Sequence, residues 1–203
     1  EFIPIAEKTK LIIPLGYNII LQALQFLNRL KEYGYPDVAV SINISAIQLL
    51  KNDFVSNFCK IVEELKVDPE NIALELTESI FASNYQEINR ILGELKECGM
   101  RIAIDDFGTG YSSLAREREL NVNCMKIDKA FIDKLMVLEW EKTITGDIIS
   151  MGHKLEHCIV AEGVEYDKQR QYLKDHGCDK IQGYLISKPL DEIAAIELLE
   201  RYK

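Results

Sequence analysis

The chain has 203 residues, 47% hydrophobic and 28% charged, the proportions of one globular domain with its own core. Its net charge of -9 excludes a surface built to coat DNA or RNA, because such polyanions are held mainly by lysine and arginine. Five cysteines, Cys59, Cys98, Cys124, Cys158 and Cys178, lie scattered without CxxC spacing and read as reduced thiols of a cytoplasmic protein.

After EFIPIAEKTK comes the longest apolar stretch, LIIPLGYNIILQAL, which is interrupted by proline, glycine and asparagine and is too short to span a bilayer. It leads into a helix expected over Leu15–Tyr33. Short β-branched or apolar runs then predict six strands, at Val38–Ile42, Ile72–Leu76, Arg101–Ile104, Cys124–Ile127, Cys158–Ala161 and Lys180–Ile186. Apolar residues three or four apart predict helices at Asp53–Leu65, Tyr85–Glu97, Ile132–Leu155 and Asp167–His176, with a last helix at Asp191–Tyr202. Strict alternation of strands and helices implies a parallel sheet with helical crossovers, a single α/β domain over residues 1–203. A closed (β/α)8 TIM-like barrel ordinarily takes ~250 residues. With six strands and none before the first helix, the expectation is such a barrel lacking about its first two strands.

In parallel α/β folds the C-terminal ends of the strands share a face on which reactive groups collect. Those ends carry Asn43 on the first strand, Glu75 with Glu78 just beyond on the second, and Asp105 and Asp106 on the third. The fourth carries Lys126 and Asp128, the fifth Glu162 and Glu165, and the sixth Gln182. Singly, each has a plain structural explanation: Asn43 and Gln182 as turn residues, Glu78 in the first turn of a helix, Asp106-Phe-Gly-Thr-Gly as a turn, Lys126 as neutraliser of a buried acid. A polar group at the same end of every strand favours a site.

Five of these acids, Glu75, Asp105, Asp106, Asp128 and Glu162, are set against one lysine, Lys126, so that four negative charges need compensation if they share one mouth. Crowded carboxylates raise one another's pKa or recruit cations. Carboxylates and an amide are hard oxygen donors, suited to Mg²⁺ or Mn²⁺ rather than zinc. His153, His157 and His176 fall at helix ends or before a strand and read as surface or packing residues, and Cys124 and Cys158 begin strands, away from the mouth. Adjacent Asp105 and Asp106 can serve one site only where the strand ends and the backbone turns. Two ions about 4 Å apart would then activate water and clamp a phosphodiester.

The strings FIPIAE, SINISAIQL, ELTES, IDDFGTGYSSL, KID, AEGVE and QGYLISKPL resemble the bacterial EAL domain, the phosphodiesterase family that hydrolyses cyclic di-GMP to linear pGpG. The likeness runs in order from the start of the chain to about Leu190. It implies a modified TIM-like barrel and, residue by residue, Asn43, Glu75 and Asp105 as direct metal ligands, with Asp106 helping to hold a second ion. It further implies Asp128 and Glu162 in the shell of metal and water, Lys126 on the catalytic water, Glu162 as the group that activates it, and Gln182 completing that shell. Glu78 would anchor the DDFGTGYSS loop, with Gly108, Thr109 and Gly110, through which the family also forms homodimers. The Glu-Ala-Leu tripeptide is absent from these residues. Its glutamate is a metal ligand in the family, so impaired hydrolysis is expected here. Asn121 and Asn123 replace a commoner proline and aspartate, which puts the packing of that loop in question. The resemblance also implies an upstream sensory or cyclase domain, or a membrane anchor, in a longer parent. Two other readings are a catalytically silent cyclic di-GMP receptor and an enolase-type proton abstraction with Lys126 as base; the second leaves Glu78, Asp106 and the glycine-hydroxyl loop without a task.

Overall fold

The structure, a computed structural model, describes residues 2–82, 84–108 and 118–202. Its contacts divide the chain into two compact units. One holds the residues up to Ile104 and the segment ending at Asn123, and the other Asp105–Gly108 and the chain from Cys124 onward.

In the first unit, helix α1 (Ile3–Lys8) precedes the long helix α2 (Ile12–Glu32). Ile12, Gly16, Ile20, Leu24, Leu27 and Leu30 recur at helical spacing and form the buried face of α2. Pro14 costs the helix nothing in its first turn, where its missing N–H would have had no intrahelical acceptor, and α2 therefore starts three residues earlier than the expected Leu15. Gly16 is a packing necessity, since a Cβ there would run into the side-chain amide of Gln48 on the short helix α3 (Ala46–Leu49). Gln48 is itself buried, and its Oε1 accepts the Ser45 backbone N–H at 3.1 Å. Helix α4 (Phe54–Leu65) buries Phe58, Ile61 and Val62, and α5 (Tyr85–Glu97) buries Ile88, Ile91, Leu92 and Leu95. Strand β1 (Val40–Asn43) pairs in parallel with β2 (Ile72–Thr77), Val40 opposite Ile72 and Asn43 opposite Glu75. The segment before β4 is well tied in place. Asn121 N–H donates to Asn89 Oδ1 at 2.7 Å and its side chain donates to Asn89 O at 2.9 Å, while Asn123 Oδ1 accepts from Ile102 N–H at 2.9 Å. The two asparagines that put this loop in question are the residues that hold it.

Strand β3 (Arg101–Phe107) opens in the first unit and ends in the second, and continues three residues past the expected Ile104. Beyond it, β4 (Cys124–Ile127), β5 (Cys158–Ala161) and β6 (Lys180–Ile181) are parallel neighbours, Lys126 opposite Val160 and Ala161 opposite Ile181. The six strands neighbour one another in chain order. β6 stops at Ile181 rather than Ile186 because the chain turns there. Ile186 N–H bonds back to Gly183 O, and a Cβ on Gly183 would collide with the main chain of Val164.

The single helix expected over Ile132–Leu155 is in fact α6 (Lys129–Lys134), a short 3-10 turn at Trp140–Lys142 and α7 (Thr145–Lys154). Thr143 is extended, and the buried Tyr172 hydroxyl ties the break down by meeting Thr143 Oγ1 at 2.9 Å and the Gly146 N–H at 3.2 Å. Tyr172 lies on α8 (Asp167–Asp175), and α9 (Glu192–Glu200), capped by Asp191, closes the described fold with no buried residue. Among the described residues no helix is long and apolar enough to cross a membrane.

Cys59 of α4 and Cys98 at the end of α5 form a disulfide across 39 residues of chain, correcting the reading of five unpaired thiols. Spacing along the chain could not show that the two helices lie side by side. In the chain-entropy account a loop of this length stabilises the folded state by about 4 kcal/mol. Reduction is therefore expected to lower stability by about that amount in urea unfolding, and the double variant Cys59→Ser, Cys98→Ser to be indifferent to dithiothreitol; superimposable oxidised and reduced curves would refute the cross-link's contribution.

Candidate active site

The residues of interest in the second unit gather around one buried cation. Lys126 is third in β4 and only 3% exposed. An unpaired ammonium so deep would be costly, and two carboxylates meet it: Glu162 Oε1 at 2.6 Å and Asp105 Oδ1 at 3.2 Å from its Nζ. The pleat explains the first contact. Lys126 sits opposite Val160, and Glu162, two residues further along, points to the same face one row beyond. Its backbone N–H continues the ladder to Ile127 O at 3.1 Å.

Asp105 and Asp106 would point to opposite faces of a regular strand. Asp106 instead takes a left-handed backbone, φ 56°, a conformation that aspartate adopts more readily than most residues and that generally costs ~1–3 kcal/mol. Its N–H is accepted by Asp105 Oδ1 at 3.0 Å. As a result, oxygens of Asp105, Asp106 and Glu162 all lie within 4.8 Å of one another, a group able to hold a metal ion. The electrostatics record the crowding. Burial first, then the charges of Asp105 and Asp128, push the Asp106 carboxyl above its ordinary pKa, with Lys126 opposing them. Gly108 has φ 92° and lies under the ring of Phe131, where a Cβ would stand 2.9 Å from Cε2.

Asp128 is placed differently from the other acids of this unit. Its Oδ1 accepts the Ala130 N–H at 2.8 Å and caps α6, so that it acts on Asp106 through charge while it holds a helix end. Gln182 is exposed, and its main chain joins two segments, donating to Ala161 O at 2.8 Å and accepting from Val164 N–H at 3.0 Å. In the first unit Asn43 is exposed at the end of β1 opposite buried Glu75, whose carbonyl accepts the Ile44 N–H at 2.9 Å. Glu78 is buried and opens the 3-10 turn Glu78–Ala82. Thr109 and Gly110 lie outside the described residues.

The histidines take structural places: His153 Nε2 meets Asp179 Oδ2 at 2.9 Å, His157 is buried, and His176 stacks on Tyr172. Cys124 and Cys158 are register partners at the opposite ends of β4 and β5 from Asp128 and Glu162. Burial, then the neighbouring Cys158, raises the Cys124 thiol to about 12. Two residues around the β5–α8 connection went unassigned in the sequence. Lys129 bridges Glu165 at 3.0 Å and Asp133 at 2.7 Å, and the fully buried Gln169 accepts the Glu165 and Tyr166 N–H groups on Oε1 at 2.8 and 3.0 Å while donating to Ile132 O. Its place three residues after Tyr166, which stands just before the helix expected from Asp167, was the available signal for the second.

A family model described as the EAL domain matches residues 1–189. The signaling protein YkoW of Bacillus subtilis is 40% identical over 190 residues, which make up 94% of this chain and 24% of that protein. The probable cyclic di-GMP phosphodiesterase PdeB of Escherichia coli is 38% identical over 191 residues, 94% of this chain and 36% of that one. The chain therefore spans well under half the length of either relative. Among solved structures, the PaMucR phosphodiesterase in its c-di-GMP complex superposes with a TM-score of 0.90 at 34% identity, covering 96% of this chain and 78% of that one. Matched through residue 189 and sharing its α/β, TIM-like architecture with that structure, the chain belongs to the EAL domain family.

Proposed function

We propose that this chain carries the catalytic centre of a metal-dependent phosphodiesterase that opens cyclic di-GMP to linear pGpG. The observation that carries the reading is the set of Asp105, Asp106 and Glu162 oxygens within 4.8 Å of one another, with Lys126 pinned between two of these acids. Relatives named as cyclic di-GMP phosphodiesterases support it.

A hard divalent cation fits this donor set, because it is all carboxylate and because burial, and then the neighbouring carboxylates, already lift the Asp106 pKa. Asp105, Asp106 and Glu162 would hold it, with Asn43, Glu75 and Asp128 proposed as further ligands by resemblance. Bound there, Mg²⁺ or Mn²⁺, as one ion or a pair, would acidify a water and offset charge on the phosphodiester. Lys126 keeps Glu162 and Asp105 from relaxing apart and offers N–H donors toward an incoming water. Glu162 accepts the water's proton as the oxygen attacks phosphorus and one ester P–O bond breaks, the departing sugar oxygen taking up a proton from solvent, so that a single cleavage leaves the linear dinucleotide. Gln182 and Glu78 are proposed to steady the surrounding water and the loop that contains Gly108, Thr109 and Gly110. Cytoplasmic location, a homodimer formed through that loop side and an upstream sensory or cyclase domain belong to the same proposal. No role for DNA or RNA is included.

Hydrolysis is tested by following pGpG formation with Mn²⁺ or Mg²⁺. The family's Glu-Ala-Leu ligand is absent from these residues. Turnover is thus expected to be weak with this chain alone and to rise when that strand is supplied. Glu162→Gln should cost about 10²–10⁴-fold in kcat while the fold survives; unchanged turnover would refute the assignment, and binding without hydrolysis in either form would make the chain a receptor.

The raised Asp106 carboxyl gives a second test. The metal-free folded state binds the Asp106 proton more readily than the unfolded chain does, so this group's contribution to stability falls as pH rises from the ordinary 3.8 through the raised value. Asp106→Asn keeps a residue tolerant of the left-handed backbone and removes the repulsion. It is expected to raise the metal-free Tm at pH 7 and to diminish the Tm gain on adding Mn²⁺; a lower metal-free Tm together with a full Mn²⁺ response would count against the cluster.

A further inference from the structure

Glu162 is useful only if it stays beside Lys126, and the segment that carries it, Glu162 to Tyr166, leaves β5 with nothing regular to hold it. Much of its main chain is fixed from one side. Val164 N–H bonds to Gln182 O, Leu185 N–H to Val164 O, and the Glu165 and Tyr166 N–H groups to Gln169. From the α6 side, Lys129 is the residue that holds it. The Lys129 stem lies across Gly163, whose φ is 67° and where a Cβ would be 2.6 Å from the lysine Cδ. Its ammonium reaches past the glycine to Glu165 Oε1 at 3.0 Å and is steadied by Asp133 Oδ1 at 2.7 Å. Lys129 follows the cap Asp128 and lies three residues after Lys126. The helix start that is fixed to Lys126 through the chain is thereby strapped over the residue next to Glu162.

We infer that Lys129 is a positioning residue for Glu162, holding the carboxylate in register with Lys126 by clasping Gly163 and Glu165. The inference rests on the phosphodiesterase reading. Lys129 and Glu165 are 46% and 33% exposed, and a pair so open to water adds little to global stability. Catalysis is far more sensitive, since a shift of about 1 Å in a reacting group costs up to ~100-fold in rate. A strap of this kind therefore governs turnover without governing folding.

Lys129→Met keeps the stem over Gly163 and removes the charge, whereas Lys129→Arg keeps both. In steady-state hydrolysis of cyclic di-GMP at saturating Mn²⁺, Lys129→Met should lower kcat by about 10- to 100-fold with KM and Tm nearly unchanged. Lys129→Arg should recover most of the loss, and Glu165→Gln added to Lys129→Met should cost no more than either alone. Amide exchange at Gly163 and Val164 should quicken in the Met variant. Unchanged kcat, a change confined to KM, or equal losses in the Met and Arg variants would overturn the inference. If the unaltered protein binds cyclic di-GMP without cleaving it, the phosphodiesterase reading fails instead. Amide exchange then decides, and unchanged exchange at Gly163 in Lys129→Met overturns the strap.

Discussion

The ammonium of Lys126, almost wholly removed from water, sets the terms for everything around it. Such a charge is tolerated only with counter-charge at contact distance, and Asp105 and Glu162 supply it from β3 and from the end of β5. Once those two carboxylates are drawn to one point, Asp106 is brought in by its left-handed backbone, and the local balance turns negative. The lysine thus acts as a placeholder for order: it lets acids be assembled that would otherwise repel one another, while leaving too little positive charge to satisfy them all.

Strands were the most legible part of the sequence. Runs such as Cys124–Ile127 and Cys158–Ala161 are buried or half-buried on both faces in a parallel arrangement, so they read as short, largely apolar stretches, broken only by Lys126, and their observed bounds are the expected ones. The last strand was over-read because Leu185 and Ile186 are apolar although the chain has already turned at Gly183. The helix expected over Ile132–Leu155 failed for a related reason: its apolar spacing persists through Thr143, while the contact that breaks it comes from Tyr172, 29 residues away.

The site was legible as a list of side chains and much less so as a geometry. That Lys126 and Glu162 would meet follows from the register of β4 and β5, whereas in the sequence the two stand out only as polar groups at strand ends. Which acid would take on a second task was not visible. Asp128 has the same parity as Lys126 and also caps the helix that follows, its Oδ1 accepting the Ala130 N–H. The left-handed turn at Asp106 could be anticipated as a need, since adjacent acids otherwise diverge, but its place within the strand rather than past its end could not. Lys129 escaped notice because an exposed lysine in a first helical turn looks like any solvated charge until the glycine beneath it is seen.

Gly183 bears on how relatives of this chain should be compared. The main chain of Val164 passes so close that no methyl group fits there. An unvarying glycine next to Gln182 in an alignment would therefore report crowding between two backbone segments, and would carry no vote on whether a given relative still turns over its nucleotide.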